Sequence, residues 1–163
     1  MKTINEDSMD AAFSKASKGL VAVWRTLIQP GMPVYRFGDS IRPDAQLTGG
    51  WWVGYSPFES LKQYAQRRKQ TLSAAARQCL AVDFQWSTLD VLHTVILKTP
   101  LSAWAGTPRT QRIRRANSDR RWEPDREITQ LYIPGLDQPD PNSPRLKIWE
   151  TGFQIPVRIC LQA

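Results

Sequence analysis

The sequence predicts an α+β protein, in which an N-terminal helix is followed by mixed, largely antiparallel sheets. Apolar residues recur at helical spacing near the N-terminus and after Ser56, the other apolar runs are short, and proline and glycine turns separate them. One helix followed by strands, with one or two further helices inserted, is the order typical of this class. A chain of 163 residues fits one domain around a single core.

The first third of the chain begins with the predicted helix. Residues 8–28 carry apolar side chains at near-helical spacing and predict one helix, capped by Ser8 or Asp10. A turn rich in proline and glycine ends this pattern, and residues 34–37 then predict a short strand. A second strand is predicted at 51–55, in the aromatic segment W-W-V-G-Y.

Helical structure is predicted again directly after the aromatic strand. Ser56, Pro57 and Glu59 have the spacing of a capping box with proline at the first helical position. They predict a helix that runs to about Lys69. Residues 71–80 either extend this helix or form a segment that follows it.

The second half of the chain is predicted to consist mainly of strands. Residues 88–97 are ambiguous between helix and strand, with a helix or turn expected first and a strand at 94–97. Residues 136–163 are expected to supply the C-terminal strands. The other strand predictions are 79–84, 128–133, 145–150 and 153–161.

The charge balance favours an acidic partner. The net charge is +7 and the pI about 9.8, which suits nucleic acid, nucleotide phosphates or an acidic protein that neutralises the chain. Seven tryptophans are more than an average core needs. Because tryptophan stacks well on flat ligands, this excess favours a binding cleft.

The residues available argue against a metal site. His93 is the only histidine, and Cys79 and Cys160 lie far apart without a C-x-x-C spacing, so we expect neither a zinc site nor a disulfide framework. The N-terminus is polar where a signal peptide needs an apolar run, and no segment approaches the ~20 apolar residues of a membrane helix. We therefore expect no membrane partner, and a cytoplasmic protein or one delivered into a target cell without a classical signal peptide.

Three short segments follow one another in a recognisable order. V-Y-R-F-G places Arg36 on the first predicted strand, G-G-W-W-V-G-Y-S-P-F-E-S leads from the aromatic strand into a helix, and E-I-T-Q-L-Y-I-P-G places Gln130 on a later strand. In order, spacing and local structure this set resembles the ADP-ribosyltransferase superfamily, including its NAD-cleaving toxin and effector members. The resemblance spans about residues 34–135 and implies a split core of sheets that binds NAD in that region.

The resemblance implies a role for each motif. Arg36 would hold the ribose and phosphate of NAD, and Gln130 would stand at the catalytic position of the late strand. Trp51, Tyr55 and Ser56 would line the nicotinamide pocket, with Tyr55 counted among the catalytic residues. NAD would be consumed as a substrate, without a metal.

The two tryptophans of the aromatic strand are expected to have different roles. Neighbours on a strand point to opposite faces, so at most one of them lines a given cleft. Trp51 shares a face with Val53 and Tyr55 on this reading and would line the cleft, whereas Trp52 would join the core. The glycines beside them let a ligand approach the backbone.

The last motif departs from the arginine-specific members of the superfamily. Those members carry two glutamates one residue apart, where this sequence has Ile128 and Gln130. A glutamine at this place resembles the branch that contains NAD glycohydrolase toxins. Glu127 is the nearest carboxylate, but strand alternation would put it on the face opposite Gln130, so we favour Gln130 and keep Glu127 in reserve. Gln111 is a second polar candidate.

These residue types suit the cleavage of the nicotinamide–ribose bond. Cleavage builds oxocarbenium character on the ribose, as in other glycoside cleavages. Gln130 can hydrogen-bond the 2′-hydroxyl, Arg36 offers a planar, always-charged fork for pyrophosphate or ribose oxygens, and Tyr55 or a tryptophan can stack on nicotinamide. The expected activity is mono-ADP-ribosyl transfer or hydrolysis of NAD.

The most basic stretch, residues 105–126, has two interpretations. It is either a solvated loop or a phosphate-tracking surface on which Arg109, Arg112, Arg114 and Arg115 bind a nucleic-acid or acidic protein acceptor. Two other functions stay open. One is a nucleic-acid-binding protein or metal-independent ribonuclease toxin that needs no NAD, and the other is a non-catalytic domain bound by an acidic immunity or antitoxin protein.

Overall fold

An antiparallel sheet of seven strands organises the computed structural model, which describes residues 2–41, 47–83, 86–115, 118–124, 128–154 and 156–161. The helices are α1 (Met9–Gly19), α2 (Tyr55–Arg68), α3 (Leu72–Cys79) and α4 (Ile148–Gly152). The strands are β1 (Leu20–Ile28), β2 (Pro33–Gly38), β3 (Trp51–Gly54), β4 (Val91–Ile96), β5 (Leu101–Pro108), β6 (Gln111–Arg115), β7 (Ser118–Trp122), β8 (Gln130–Tyr132), β9 (Pro139–Asp140), β10 (Ser143–Lys147) and β11 (Val157–Cys160).

The strand order of the large sheet is β1-β5-β8-β3-β2-β4-β11, and each of its pairings is antiparallel. Two small ribbons, β6 with β7 and β9 with β10, stand apart from it. The predicted α+β class, with an N-terminal helix and largely antiparallel sheets, is confirmed.

Side-chain alternation along β3 places neighbouring apolar residues in different cores. On β3, Trp52 joins the core that includes Ile148 of α4, and Val53 joins the core that includes Phe58 and Leu61 of α2. Each fully buried side chain of this size stabilises the fold by roughly 1.5–3 kcal/mol. The helices therefore cover the sheet because its strands are apolar on both sides.

The predicted helix over 8–28 is wrong beyond Gly19. Residues 20–28 instead form β1, an edge strand that pairs with β5 on both sides of a bulge. Ala22 has a φ of 53°, and the register shifts between Val21 and Trp24. This bulge interrupts the two-residue alternation that marks a strand in a sequence, so the apolar spacing resembled that of a helix.

The aromatic strand ends earlier than predicted. β3 stops at Gly54, an extended residue that is the N-cap of α2, and Tyr55 is already helical. The predicted capping box at Ser56 is therefore wrong, and no side chain of the described residues caps this helix. The predicted end near Lys69 is confirmed, because Lys69 is the C-cap, with a left-handed φ of 52°.

Two strand predictions in the second half are also wrong. Over the described part of 79–84, α3 ends at Cys79 and the chain turns. Cys79 and Leu80 are buried in a core cluster, but they do not belong to a strand. The segment 145–150 is divided between β10 and α4. In 88–97 a strand begins at Val91, so the helical alternative is wrong as well.

Candidate functional site

The three motif strands are far apart in the sequence but adjacent in the sheet. β2, which carries Arg36, pairs with β3, and β3 pairs with β8, which begins with Gln130. The pairing between β2 and β3 is limited to two residue pairs, at Val34 and Tyr35. The two strands separate beyond Tyr35, and Arg36 lies at the point where the sheet opens.

A cleft of about 560 Å³ lies at this opening. Arg36, Trp51 and Gln130 all line it, together with Tyr35 and Phe37 of β2. Pockets for small molecules and cofactors commonly measure ~300–1,000 Å³ and are mostly apolar with a few convergent polar groups. The size and lining of this cleft match that description.

Arg36 is a largely buried cation that has no carboxylate partner among the described residues. Its Nη1 donates to the backbone carbonyl of Trp51 at 2.9 Å, and its Nε has no hydrogen-bond partner within the described residues. None of the ion pairs formed by described residues includes it. Burial lowers the pKa of Arg36 to about 10, so the guanidinium stays charged at neutral pH. A charge held in this way favours an anionic ligand, which would offset its desolvation.

A glycine leaves room for this guanidinium. A Cβ at position 49 would overlap the guanidinium group of Arg36, so only glycine permits the observed contact without a shift. The same backbone segment anchors the neighbouring core, since the Trp52 indole N–H donates to the carbonyl of Gly49 at 2.7 Å. The position of Arg36 thus depends on the local backbone as well as on its own strand.

His93 lies beside Arg36 on the neighbouring strand. In the register of the sheet it stands opposite Arg36 of β2 and opposite Arg158 of β11. Burial, assisted by the positive charges of Arg158 and Arg36, lowers the pKa of His93 below its ordinary value. The imidazole is therefore neutral at neutral pH and adds no positive charge next to Arg36. Its Nε2 has no hydrogen-bond partner among the described residues.

Gln130 is 8 % exposed and lines the cleft. Its backbone pairs with Gly106 of β5, which fixes the side chain on a rigid strand. No hydrogen bond of its side-chain amide to another described residue is present, although buried amides normally have partners. The amide is thus available to a ligand in the cleft.

The two tryptophans of β3 divide as the alternation rule predicts. Trp51 is half-buried in the cleft wall, whereas Trp52 is fully buried in the core. Trp51 packs edge-on against Tyr132 with ring centroids 4.7 Å apart. It also lies close to Gly19 at the end of α1, where an added Cβ would come within 2.5 Å of the Trp51 ring.

Tyr55 and Ser56 are not among the residues that line this cleft. Because β3 ends at Gly54, Tyr55 follows helical rather than strand geometry, and its side chain is 48 % exposed. The prediction that Tyr55 shares a wall with Trp51 is therefore wrong. Ser56 lies exposed in the first turn of α2.

A segment that sequence reasoning missed also lines the cleft. It lies between α3 and β4, its described residues are 80–83 and 86–90, and it contributes Trp86, which is 42 % exposed. Arg77 holds this loop by donating to the carbonyls of Val82, Ser87 and Thr88 at 3.0–3.1 Å. The only signal in the sequence that could have indicated such a clamp is an arginine among the small and apolar residues of α3.

The backbone of the loop is strained at both of its ends. Ala81 and Leu89 have φ values of 54° and 50°, in the left-handed region that residues with a Cβ occupy at a cost of roughly 1–2 kcal/mol each. Strain of this kind persists only where surrounding contacts fix the conformation, and it is often found at binding sites.

Further polar residues reach the cleft from other elements. Lys15 and Lys18 reach it from α1, Asp39 from the end of β2, and Gln111 from the start of β6. The carboxylate of Asp39 accepts the backbone N–H groups of Ile41 and Thr88. Of these, only Gln111 was a candidate from the sequence.

The basic stretch forms the β6–β7 hairpin, and most of its described arginines are already paired. The ion pairs join Arg112 to Asp119 at 2.6 Å, Arg120 to Asp83 at 2.7 Å, and Arg121 to Glu123 at 2.9 Å. The interpretation as a loop is thus wrong for this segment, and the charge it offers to a polyanion is smaller than the sequence suggests.

The remaining arginines of the stretch differ among themselves. Arg109 donates from Nε to the carbonyl of Ser17 at 2.9 Å, which ties the end of β5 to α1. Arg114 is exposed and has no ion pair with a described residue. The side chain of Arg115 and the whole of Glu127 lie outside the described part of the chain.

Within the described residues, no three histidine, cysteine, aspartate or glutamate side chains come together as a metal site would require. The described helices are all too short or too polar to cross a membrane. No protein-family model, no curated protein and no solved structure matches the chain.

Proposed function

We propose that this protein consumes NAD by cleaving its nicotinamide–ribose bond, as an NAD glycohydrolase or a mono-ADP-ribosyltransferase. One observation carries the proposal: three motifs distant in sequence lie on adjacent strands, and Arg36, Trp51 and Gln130 line one cleft. The resemblance to the ADP-ribosyltransferase superfamily gives each of these residues the role that its environment also supports.

Arg36 is suited to the anionic part of the dinucleotide. The pyrophosphate would supply the negative charge that the described protein residues do not, and the unpartnered Nε adds a donor to the guanidinium fork. Binding there would orient the ribose relative to β8, and orientation alone contributes strongly to rate.

Gln130 is suited to the reacting ribose. In the cleavage, the glycosidic C–N bond breaks and its electron pair leaves with nicotinamide, which becomes a neutral pyridine. Water or another nucleophile then attacks the ribose carbon and loses a proton. A hydrogen bond from the 2′-hydroxyl to the Gln130 amide oxygen would hold the ribose and, as positive charge develops, stabilise it more in the transition state than in the ground state.

The nicotinamide ring requires a flat apolar surface. Trp51 and Trp86 line the cleft, and each offers a large ring that is not fully buried. Stacking on nicotinamide was predicted for Tyr55 or a neighbouring tryptophan, and in this proposal the tryptophans provide it.

The hairpin favours water over a nucleic acid as the acceptor. Arginines that are paired to carboxylates release fewer counterions on binding a polyanion, so they support nucleic-acid binding weakly. The same observation counts against the alternative of a nucleic-acid-binding or ribonuclease toxin. Among the two NAD-consuming activities we therefore favour hydrolysis.

The test is nicotinamide release from NAD by the purified protein, with and without cell lysate. Release in buffer alone is the expected result, whereas release only with lysate, together with transfer of labelled ADP-ribose, would indicate a transferase. Absence of NAD consumption in both conditions would overturn the proposal, and cleavage of RNA in the same preparation would favour the ribonuclease.

A variant series tests the catalytic position. Gln130→Ala is expected to lower kcat by roughly 100-fold, in line with the loss of one positioned hydrogen-bonding group. Gln130→Glu keeps an oxygen acceptor and should retain more activity than Gln130→Ala. The control is Gln63→Ala, because Gln63 is exposed on α2. Full activity of Gln130→Ala would remove this assignment.

A further inference from the structure

The end of α1 brings two lysines to the cleft. Lys15 and Lys18 both line it, and their i, i+3 spacing places them on one side of the helix. Gly19 fixes this approach, because only a residue without a Cβ fits against Trp51 there. The Lys15 ammonium lies 5.7 Å from the ring centroid of Tyr132, which itself packs against Trp51.

No described carboxylate lies within ion-pairing distance of either lysine. Neither forms an ion pair with a described residue, whereas Lys2 pairs with Asp7 and Lys62 pairs with Glu59. Including Arg36, three cationic side chains line the cleft, and Asp39 is the one carboxylate among its described lining residues. The described lining of the cleft therefore carries a net positive charge.

Asp39 offsets one of the three cations, so the described lining has a net charge of +2, which is larger than the net negative charge of NAD. The pyrophosphate of NAD carries two negative charges, and its nicotinamide ring carries one positive charge. Arg36 alone is a sufficient partner for a pyrophosphate oxygen pair. Two further ammonium groups match a phosphomonoester, which carries about −1.5 to −2 charges at neutral pH.

We propose that Lys15 and Lys18 bind a phosphomonoester carried by the dinucleotide, so that the cleft prefers the phosphorylated substrate NADP over NAD. This inference rests on the proposed function and names its substrate more closely. A nucleic-acid phosphate is a weaker candidate, because these lysines share the cleft with Gln130 while the arginines of the exposed hairpin are mostly paired.

The two lysines differ in what they do without a ligand. Lys18 lies in the last turn of α1, where a cation interacts favourably with the helix C-terminus in any case. Lys15 lies further from that end, and its described contact is the face of Tyr132. Lys15 is therefore the more specific test of the proposal.

The experiment compares kcat/KM for NADP and NAD in the wild-type protein and in Lys15→Ala, Lys18→Ala and the double variant. We expect the wild type to prefer NADP, and the double variant to lose at least tenfold more activity toward NADP than toward NAD. Lys15→Arg, which keeps the charge, should preserve most of the preference. Lys62→Ala is the matched control, because that lysine is paired with Glu59 on α2.

A binding measurement separates this inference from the proposed function. Titrating NADP and NAD into Gln130→Ala and following tryptophan fluorescence gives both affinities without turnover. Tighter binding of NADP that the double lysine substitution abolishes supports the inference, even if neither dinucleotide is cleaved by the wild type. Equal affinities, or equal losses for both dinucleotides, overturn it while leaving NAD cleavage intact; binding of neither dinucleotide overturns both proposals.

Discussion

The cleft and the β6–β7 hairpin are both rich in cations, but the two regions hold their charges differently. In the hairpin, Arg112, Arg120 and Arg121 each have a carboxylate within ion-pairing distance. In the cleft, Arg36 has no such partner among the described residues, although burial lowers its pKa to about 10. The region with fewer cations is thus the one with more unsatisfied charge.

This difference shows why a count of basic residues misplaces function. An exposed ion pair contributes little and is easily solvated, whereas a buried unpaired charge is costly unless a ligand or a function accompanies it. The hairpin is better understood as a structural element. Its Arg120 and Trp122 both donate to the carboxylate of Asp83, at 2.7–2.9 Å, and Asp83 belongs to the loop that lines the cleft.

The sharpest way to break the comparison is to remove one arginine from each region. Arg36→Ala is expected to lower kcat/KM for the dinucleotide by at least about 100-fold, because no other group replaces its fork. Arg36→Lys should recover little of this activity, since an ammonium lacks the planar donor geometry. Arg114→Ala, at an exposed hairpin arginine that has no ion pair with a described residue, should change NAD turnover by less than about twofold. Steady-state kinetics measure these effects, and circular dichroism checks that the variants are folded. Equal losses of activity in Arg36→Ala and Arg114→Ala would contradict the difference between the cleft and the hairpin.

A second substitution moves Arg36 without deleting it. Gly49→Ala introduces a Cβ that overlaps the guanidinium, so the charge is displaced from the cleft wall. A displacement of about 1 Å typically lowers activity by roughly 10- to 100-fold, and this is the expected range. Gly54→Ala is the control, because its added Cβ meets nothing closer than 3.8 Å. Normal kinetics in Gly49→Ala would mean that the observed position of Arg36 is not needed for activity.

The individual motif strands could be predicted because Arg36, Trp51 and Gln130 lie in short segments bounded by glycine or proline. That these segments meet in one region was implied only by the resemblance to the ADP-ribosyltransferase superfamily, because adjacency in a sheet is not a local property of the sequence. The division of Trp51 and Trp52 followed from alternation alone. The position of Tyr55 was predicted wrongly because β3 ends one residue earlier than expected. Tyr55 is therefore the first residue of α2, and its side chain does not alternate with those of the strand.

The rest of the cleft depends on contacts between distant residues. Trp86 reaches it through a loop fixed by Arg77 and by two left-handed residues, none of which produces a periodic signal. Lys15 reaches it because α1 ends against Trp51, a contact between elements far apart in the chain. The pairing of Arg120 with Asp83 is equally non-local, so the sequence showed the hairpin's charge but not its neutralisation.

The hairpin's structural role predicts a stability effect that the cleft does not share. Asp83 is fully buried, and Asp83→Ala removes the acceptor of both Arg120 donors and of the Trp122 indole N–H. Unfolding free energy is expected to fall by about 1–3 kcal/mol, and KM should rise because the loop carries Trp86. Chemical denaturation and steady-state kinetics measure the two effects. Asp119→Ala, which breaks the exposed pair with Arg112, is the control and should leave Tm unchanged. Similar losses in both variants would contradict this division.

The smallest expected effect is a pH dependence of stability that arises at His93, which lies opposite Arg36 in the sheet. Because the folded-state pKa of His93 is lowered, the unfolded chain takes up a proton near pH 6.5 while the folded imidazole, between Arg36 and Arg158, stays neutral. Stability is therefore full above that pH and falls as the pH drops toward the folded-state pKa, by about 1.4 kcal/mol for each unit of lowering.

Urea denaturation between pH 7.5 and 5 measures this slope, and the carboxylates contribute little there because they titrate at lower pH. His93→Gln should flatten the curve over that range. Arg158→Gln should reduce its slope, since it removes the larger of the two neighbouring charge effects on the pKa of His93. The paired hairpin offers the contrast: Arg121→Gln, at an exposed ion pair, should leave the slope unchanged. A wild-type protein that is equally stable at pH 7.5 and pH 5 would contradict this prediction. It would show that the folded imidazole takes up a proton as readily as the unfolded one, despite the charges of Arg36 and Arg158.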